Sequence, residues 1–127
     1  LCRELQPRRG PERRVRNGSS MIVVDLAAAL VCFAGACHPA LVGIATPRGE
    51  FEVRHEATKL PGYGGDVLTF SETRAARFAI HRTWRGREKL YEAPAGNRVV
   101  TNGCINLQPA VYDLLVACCA GEKVVIR

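Results

Sequence analysis

The sequence predicts one mostly-β domain with a single late α-helix packed on its sheets. Three observations carry that prediction. The chain has 127 residues, the length of one domain and enough to bury a core without crosslinks. Its apolar residues fall in short β-rich runs separated by turns that contain Gly and Pro. One segment, after Pro109, repeats apolar residues at helical spacing.

Met21–Leu26 (MIVVDL) and Leu30–Ala34 (LVCFA) are the first two strand-like runs, joined by a turn at Ala27–Ala29. Gly35–Pro39 carries the chain into Ala40–Ile44. Gly43, Pro47 and Gly49 then punctuate the sequence before a further run, Glu50–Arg54. Thr58–Asp66 (TKLPGYGGD) is too rich in Gly for a regular element and reads as a loop. Val67–Phe70 and Phe78–His81 read as strands on either side of the polar turn SETRAAR, and Arg82–Asn97 as a charged, exposed excursion. Pro109 suits a first helical turn, with Val111, Leu114, Leu115 and Cys118 on one face. Gly121 ends that helix, and Lys123–Arg127 (KVVIR) closes the domain as a strand.

The net charge of +6 is unevenly distributed. Residues 1–20 hold six Arg and two Glu, leaving 12 basic against 10 acidic groups in residues 21–127. The first 20 residues have no apolar periodicity and read as a disordered basic tail, a solvated leader ahead of the domain at 21–127. Arg13–Arg14, the apolar run from Met21 to Ala36 and then Cys37 imitate an export signal. Asp25 interrupts that run, and two strands describe it better. No secure signal peptide is left.

Composition excludes several function classes. No stretch of about 18 apolar residues offers a membrane span. With most of the charge in the tail, and with Trp84 and the Tyr and Phe residues not alternating with basic ones, nucleic acid is not an expected partner. The six cysteines show no metal-type pair spacing, so neither a metal nor a cofactor is expected. Cys118 and Cys119 read as small buried hydrophobes. Cys32 and Cys37 can face each other across a turn, which leaves their redox state open. His38 and His55 have no partner motif and read as structural or surface residues.

The segment with chemistry is Thr101-Asn102-Gly103-Cys104-Ile105-Asn106. A Cys directly after a Gly, between a strand-like and a helical segment, sits where backbone N–H groups can serve an oxyanion hole. His81 ends a strand, and the intervening residues leave room for a loop to bring the two together. An ordinary thiol is only a few per cent ionised at neutral pH, so a neighbouring imidazole raises its reactive fraction. From the residues alone, a buried cysteine and a satisfied histidine are the commoner description.

These residues resemble the catalytic domain of the L,D-transpeptidases (YkuD-like). The family's upstream His and its Ser/Thr-His-Gly-Cys-x-Asn/Arg signature are met by His81 and by Thr101 to Asn106. Its Thr-Pro-x-Gly-x-Phe turn is met by Thr46, Pro47, Gly49 and Phe51. The opening VVDLAAALVCF and the closing GEKVVIR are similar to its first hairpin and last strand, so the resemblance spans about residues 21–127. It implies a β-sandwich and a cysteine acyl-transferase acting on peptidoglycan stem peptides. Cys104 is then the nucleophile and His81 the general base. The backbone N–H of Cys104, with that of Gly103 or Asn102, holds the oxyanion, and Asn106 supports the loop through hydrogen bonds. Periplasmic or cell-envelope location follows from the same resemblance; a monomer is expected.

Two departures stand out. Asn102 occupies the position where the family commonly has His, so proton transfer there is lost. Arg82 follows His81 where Gly is frequent, and the His-to-Cys interval is longer than in compact members. That interval, with Trp84, Arg85, Arg87, Lys89, Tyr91 and Arg98, is expected to form part of a substrate-binding wall, with Arg98 meeting a carboxylate of the acyl donor; the alternative is an exposed basic loop with one aromatic anchor. Three other functions are weighed against this one: a hydrolase using water as acceptor (an L,D-carboxypeptidase), a non-catalytic cell-wall-binding module, and a basic nucleic-acid-binding protein.

Overall fold

Alternation of buried and half-buried residues sets the first hairpin. In β1 (Ile22–Asp25) Ile22 and Val24 are buried; in β2 (Leu30–Phe33) Val31 and Phe33 are. The computed structural model describes residues 21–127, and the expected tail at residues 1–20 lies outside the described residues. Asp25 accepts the Ala28 N–H at 3.0 Å in the turn between β1 and β2. A two-residue turn, Ala34 and Gly35 at φ 50° and 81°, leads directly into β3 (Ala36–Pro39). Both positive φ values match the primed turns that suit strand twist. Cys32 and Cys37 are register partners on β2 and β3, and they are joined by a disulfide.

The remaining elements are β4 (Gly49–Glu52), β5 (Arg54–Ala57), β6 (Asp66–Glu72), β7 (Arg77–Arg82), β8 (Ile105–Leu107), α1 (Pro109–Cys119) and β9 (Lys123–Ile126). One sheet has the order β3-β2-β1-β9-β4 and the other β5-β6-β7-β8. Buried Val53 carries the chain from the first sheet to the second. Between the sheets, Ile22, Val24, Val31 and Ile126 meet Leu68, Phe70, Ile80 and Ile105 in one core. Each such side chain contributes about 1.5–3 kcal/mol by leaving water. Helix α1 adds Tyr112, Leu115 and Cys119 to that core and packs on β7 and β2. Cys118 and Cys119 are joined to each other at its end. No helix of the described residues is long and apolar enough to cross a membrane.

The mostly-β architecture with one late helix is as the sequence predicts; several details differ. Ala40–Ile44 forms no strand, and Leu41 and Val42 make only single bridges, to Asn106 and Val99. The tight turn at Ala34 and Gly35 lets the third strand start at Ala36, which frees the residues beyond it for the site. The buried helix face is turned from the expected one. Leu114 is 57% exposed whereas Tyr112 is fully buried, because the Tyr112 ring lies under the Arg82 guanidinium and its hydroxyl donates to Asp66 at 3.0 Å. The excursion after β7 is not exposed throughout. It contains short 3-10 turns at Glu88–Glu92 and Ala95–Arg98, and it buries Tyr91 and Arg98. Parallel neighbours need a long crossover, and this excursion is the crossover from β7 to β8.

Candidate active site

The parallel pairing of β7 and β8 fixes the site. Ile80 is opposite Ile105 and His81 is opposite Asn106. Both isoleucines point into the main core, so the alternate residues Ala79, His81, Cys104 and Asn106 belong to the other face of the sheet. There Ala79 and Cys104 form a second, smaller cluster with Tyr63 and Val67, flanked by Leu60 and Trp84. Cys104 lies just before β8 and two residues ahead of Asn106, and extending the register by one residue puts it opposite Ala79 and diagonal to His81.

His81 is completely buried. Its Nδ1 donates to the Arg82 carbonyl at 2.7 Å, which leaves the lone pair on Nε2. That nitrogen is buried and has no hydrogen-bond partner. Burial, helped by the positive charge of Arg87, pushes the imidazole down to about 4, against the raising effect of the Arg82 carbonyl. The ring is neutral at neutral pH, with the free nitrogen of a base. Tyr63 packs edge-on against it, with centroids 4.7 Å apart, and Trp84 lies 6.4 Å from it.

Hydroxyl groups hold the Cys104 loop. Thr101 Oγ1 donates to the Cys104 carbonyl at 2.6 Å and accepts the Gly103 N–H at 3.1 Å. Thr46 Oγ1 donates to the Gly103 carbonyl and accepts the Gly43 N–H, each at 2.9 Å. The Thr-Pro-x-Gly-x-Phe turn thus braces the loop from below. Gly103 has φ +127°, and a Cβ on it would drive into the Phe78 ring. Cys104 is 2% exposed, and its sulfur accepts the Ala79 N–H at 3.3 Å. The sulfur is disulfide-bonded, so its thiol is reached by reduction.

A latch secures the Gly-rich loop over this face. Arg82 donates to Asp66 at 2.6 Å, to Asp113 at 3.0 Å and to the Tyr63 and Gly64 carbonyls at 3.3 Å. Burial would raise the Asp66 carboxyl, but hydrogen bonds from Arg82, His55 and Tyr112 hold it below its ordinary value. Arg82, at a position where Gly is frequent in the resembled family, is what fastens the loop carrying Tyr63. Neither the latch nor Tyr63 had a sequence signal beyond the glycines.

The expected site residues divide into two sets. His81, Cys104, Gly103 and Asn106 come together, with Trp84 beside them. Asn102 follows on the exposed rim of the loop. Asn106 does not support the loop through its side chain, because both amide atoms are buried without a partner; its backbone does so, bonding Leu41 in both directions at 2.9 and 3.0 Å. Gly103 lends no N–H to an oxyanion, having given it to Thr101. Arg98 is no substrate-binding wall. It is 7% exposed, and its guanidinium donates to the carbonyls of Ala28, Ala29, Ala40 and Ala93. It clamps the first hairpin turn to the crossover.

No family model matches the sequence, and no curated protein matches it either. Solved structures do match in fold. The chain has the L,D-transpeptidase fold. An L,D-transpeptidase from Stackebrandtia nassauensis is similar over 91% of this chain, with TM-score 0.57 and 15% identity. The catalytic domain of the E. faecium L,D-transpeptidase aligns with 86% of it, with TM-score 0.59 and 20% identity. An L,D-transpeptidase solved in complex with imipenem also aligns with 86%, with TM-score 0.54 and 18% identity. The chain spans 97% of the E. faecium domain but only 58% and 59% of the other two proteins. At these identities the L,D-transpeptidase likeness is one of architecture.

Proposed function

We propose that the protein is a cysteine acyl-transferase of the L,D-transpeptidase type, acting on peptidoglycan stem peptides in the cell envelope. The observation that supports this most is the register of β7 and β8, with His81 and Cys104 diagonal on one sheet face and His81 Nε2 uncommitted. Reduced Cys104 gives its proton to His81 Nε2, and the thiolate attacks the carbonyl between the third residue and the terminal D-alanine. From an ordinary thiol to an imidazole near 4, that transfer is uphill by ~6 kcal/mol. The thiolate–imidazolium attraction and the oxyanion donors must offset it. The backbone N–H groups of Cys104 and Asn102 take the oxyanion role, since the Gly103 N–H is spent.

His81 then returns the proton to the departing D-alanine amine as the carbon–nitrogen bond breaks, leaving a thioester on Cys104. An acceptor amine attacks the thioester, its proton passes to His81, and the carbon–sulfur bond breaks to restore the thiol. Trp84 and Tyr63 wall the site and limit water, which favours an amine over hydrolysis.

Intact-protein mass spectrometry tests this. Reduced protein incubated with a stem tetrapeptide should gain the mass of the peptide less D-alanine, and imipenem should also add, both mapping to Cys104. An unmodified Cys104 with both reagents in folded, reduced protein would leave a non-catalytic wall-binding module as the reading.

A further inference from the structure

Beside His81, two buried hydrogen-bond donors have nothing to bind. Arg87 Nη1 and Trp84 Nε1 are both buried without a partner. The Arg87 guanidinium lies over the indole, with Cζ 5.5 Å from the ring centroid, and the indole N–H faces Gly62, where a Cβ would meet Nε1 at 3.3 Å. The nearest carboxylate in sequence, Glu88, is turned away: both of its oxygens accept the Gly86 N–H, at 3.1 and 3.3 Å. A cationic nitrogen held away from water with no acceptor is costly, and native structures rarely keep one without a ligand. A guanidinium N–H and a nearby indole N–H together suit one planar anion with two oxygens.

We propose that Arg87 and Trp84 form a carboxylate-recognition subsite that selects acyl donors carrying a free carboxylate next to the bond that His81 and Cys104 act on. The proposal rests on the acyl-transfer reading for its substrate but not for the subsite itself. Arg87 acts here as a specificity residue, and its charge adds to the burial that keeps the His81 ring neutral. Trp84 packs against the cluster that contains Cys104, so a carboxylate held by Arg87 and Trp84 is on the side of the site that carries the thiol.

The protein has one tryptophan, so a ¹⁵N-labelled sample gives one indole N–H resonance that reports on this subsite directly. The reduced protein is titrated with a stem tetrapeptide ending in a free carboxylate and with the same peptide ending in a carboxamide. The acid should shift the indole signal saturably and bind about 10- to 100-fold tighter than the amide, the factor for one charge-assisted hydrogen bond. Arg87→Gln should abolish that preference while its backbone amide spectrum stays folded, and Arg87→Lys should restore part of it. Equal binding of acid and amide, no saturable shift with either, or a preference that survives in Arg87→Gln would each overturn the proposal. An acid-selective shift with no Cys104 adduct would sink the acyl-transfer reading and spare the subsite. Adducts formed equally from both peptides would do the reverse.

Discussion

His81 and Asn106 stand opposite each other on the parallel strands β7 and β8, and their side chains hold uncommitted polar atoms in a buried place. A core would satisfy or exclude such atoms. Here three of them, His81 Nε2 and both Asn106 amide atoms, occur on the face that also carries Cys104. The two strands meet because the crossover between them is pinned by Arg98 and by the Val42 carbonyl, which accepts the N–H groups of Val100 and Thr101 at 2.8 and 2.9 Å.

Stability should fall in acid partly through His81. Its folded value, about 4, lies below the 6.5 of an exposed histidine, so the unfolded chain takes up the proton first. The contribution of the neutral ring is complete above pH 6.5 and is lost as pH drops toward 4, by up to ~3 kcal/mol. Urea unfolding at pH 7 and pH 4.5 should show His81→Gln losing less stability between the two than the unaltered protein. Equal losses would mean that His81 titrates normally.

Gly103→Ala should destabilise the fold by about 2–4 kcal/mol, from collision with Phe78 and a backbone angle that side chains avoid. Adding Phe78→Ala should remove the collision and leave the strain, so the double variant recovers only part of the loss relative to Phe78→Ala alone. Thermal melts of the four proteins in the cycle measure the coupling. No coupling would mean that ring and loop are not in contact.

Arg98 should matter for folding and not for substrate. Arg98→Met leaves four carbonyls without their donor, a loss of about 2–4 kcal/mol, while the affinity of the folded protein for the donor peptide stays the same. Arg98→Lys should recover little, since one ammonium cannot span the carbonyls that the guanidinium fork reaches. A weakened affinity in a variant that melts normally would return Arg98 to the substrate wall.

Much of the architecture was legible in local pattern. The first hairpin, the Gly-rich loop, the helix start at Pro109 and the closing strand all carry short-range signals, and the Thr46 turn and the Gly103–Cys104 pair carry motif signals. What escaped depends on long-range partners. Strand β8 has three residues, too few for a period to register, and exists through its pairing with β7. The helix face turned because Tyr112 is drawn in by Arg82 and Asp66, contacts that helical spacing cannot announce. Arg98 looked like an exposed cation in a charged stretch, yet its acceptors are carbonyls up to 70 residues away. Arg87 stood in the sequence as one of several cations of that stretch, and nothing local set it apart, since an orphaned nitrogen exists only once the chain has closed around it.

The rate at which Cys104 is alkylated tests the pairing of thiol and imidazole most directly. Fully reduced protein is treated with iodoacetamide across pH 5–9, and the modified cysteines are located by peptide mapping. With neutral His81 taking up its proton as the carbon–sulfur bond forms, Cys104 should be alkylated faster at pH 7 than in His81→Gln, whose profile should be that of an ordinary thiol ionising near 8.5. Profiles that coincide in the two proteins would contradict the account.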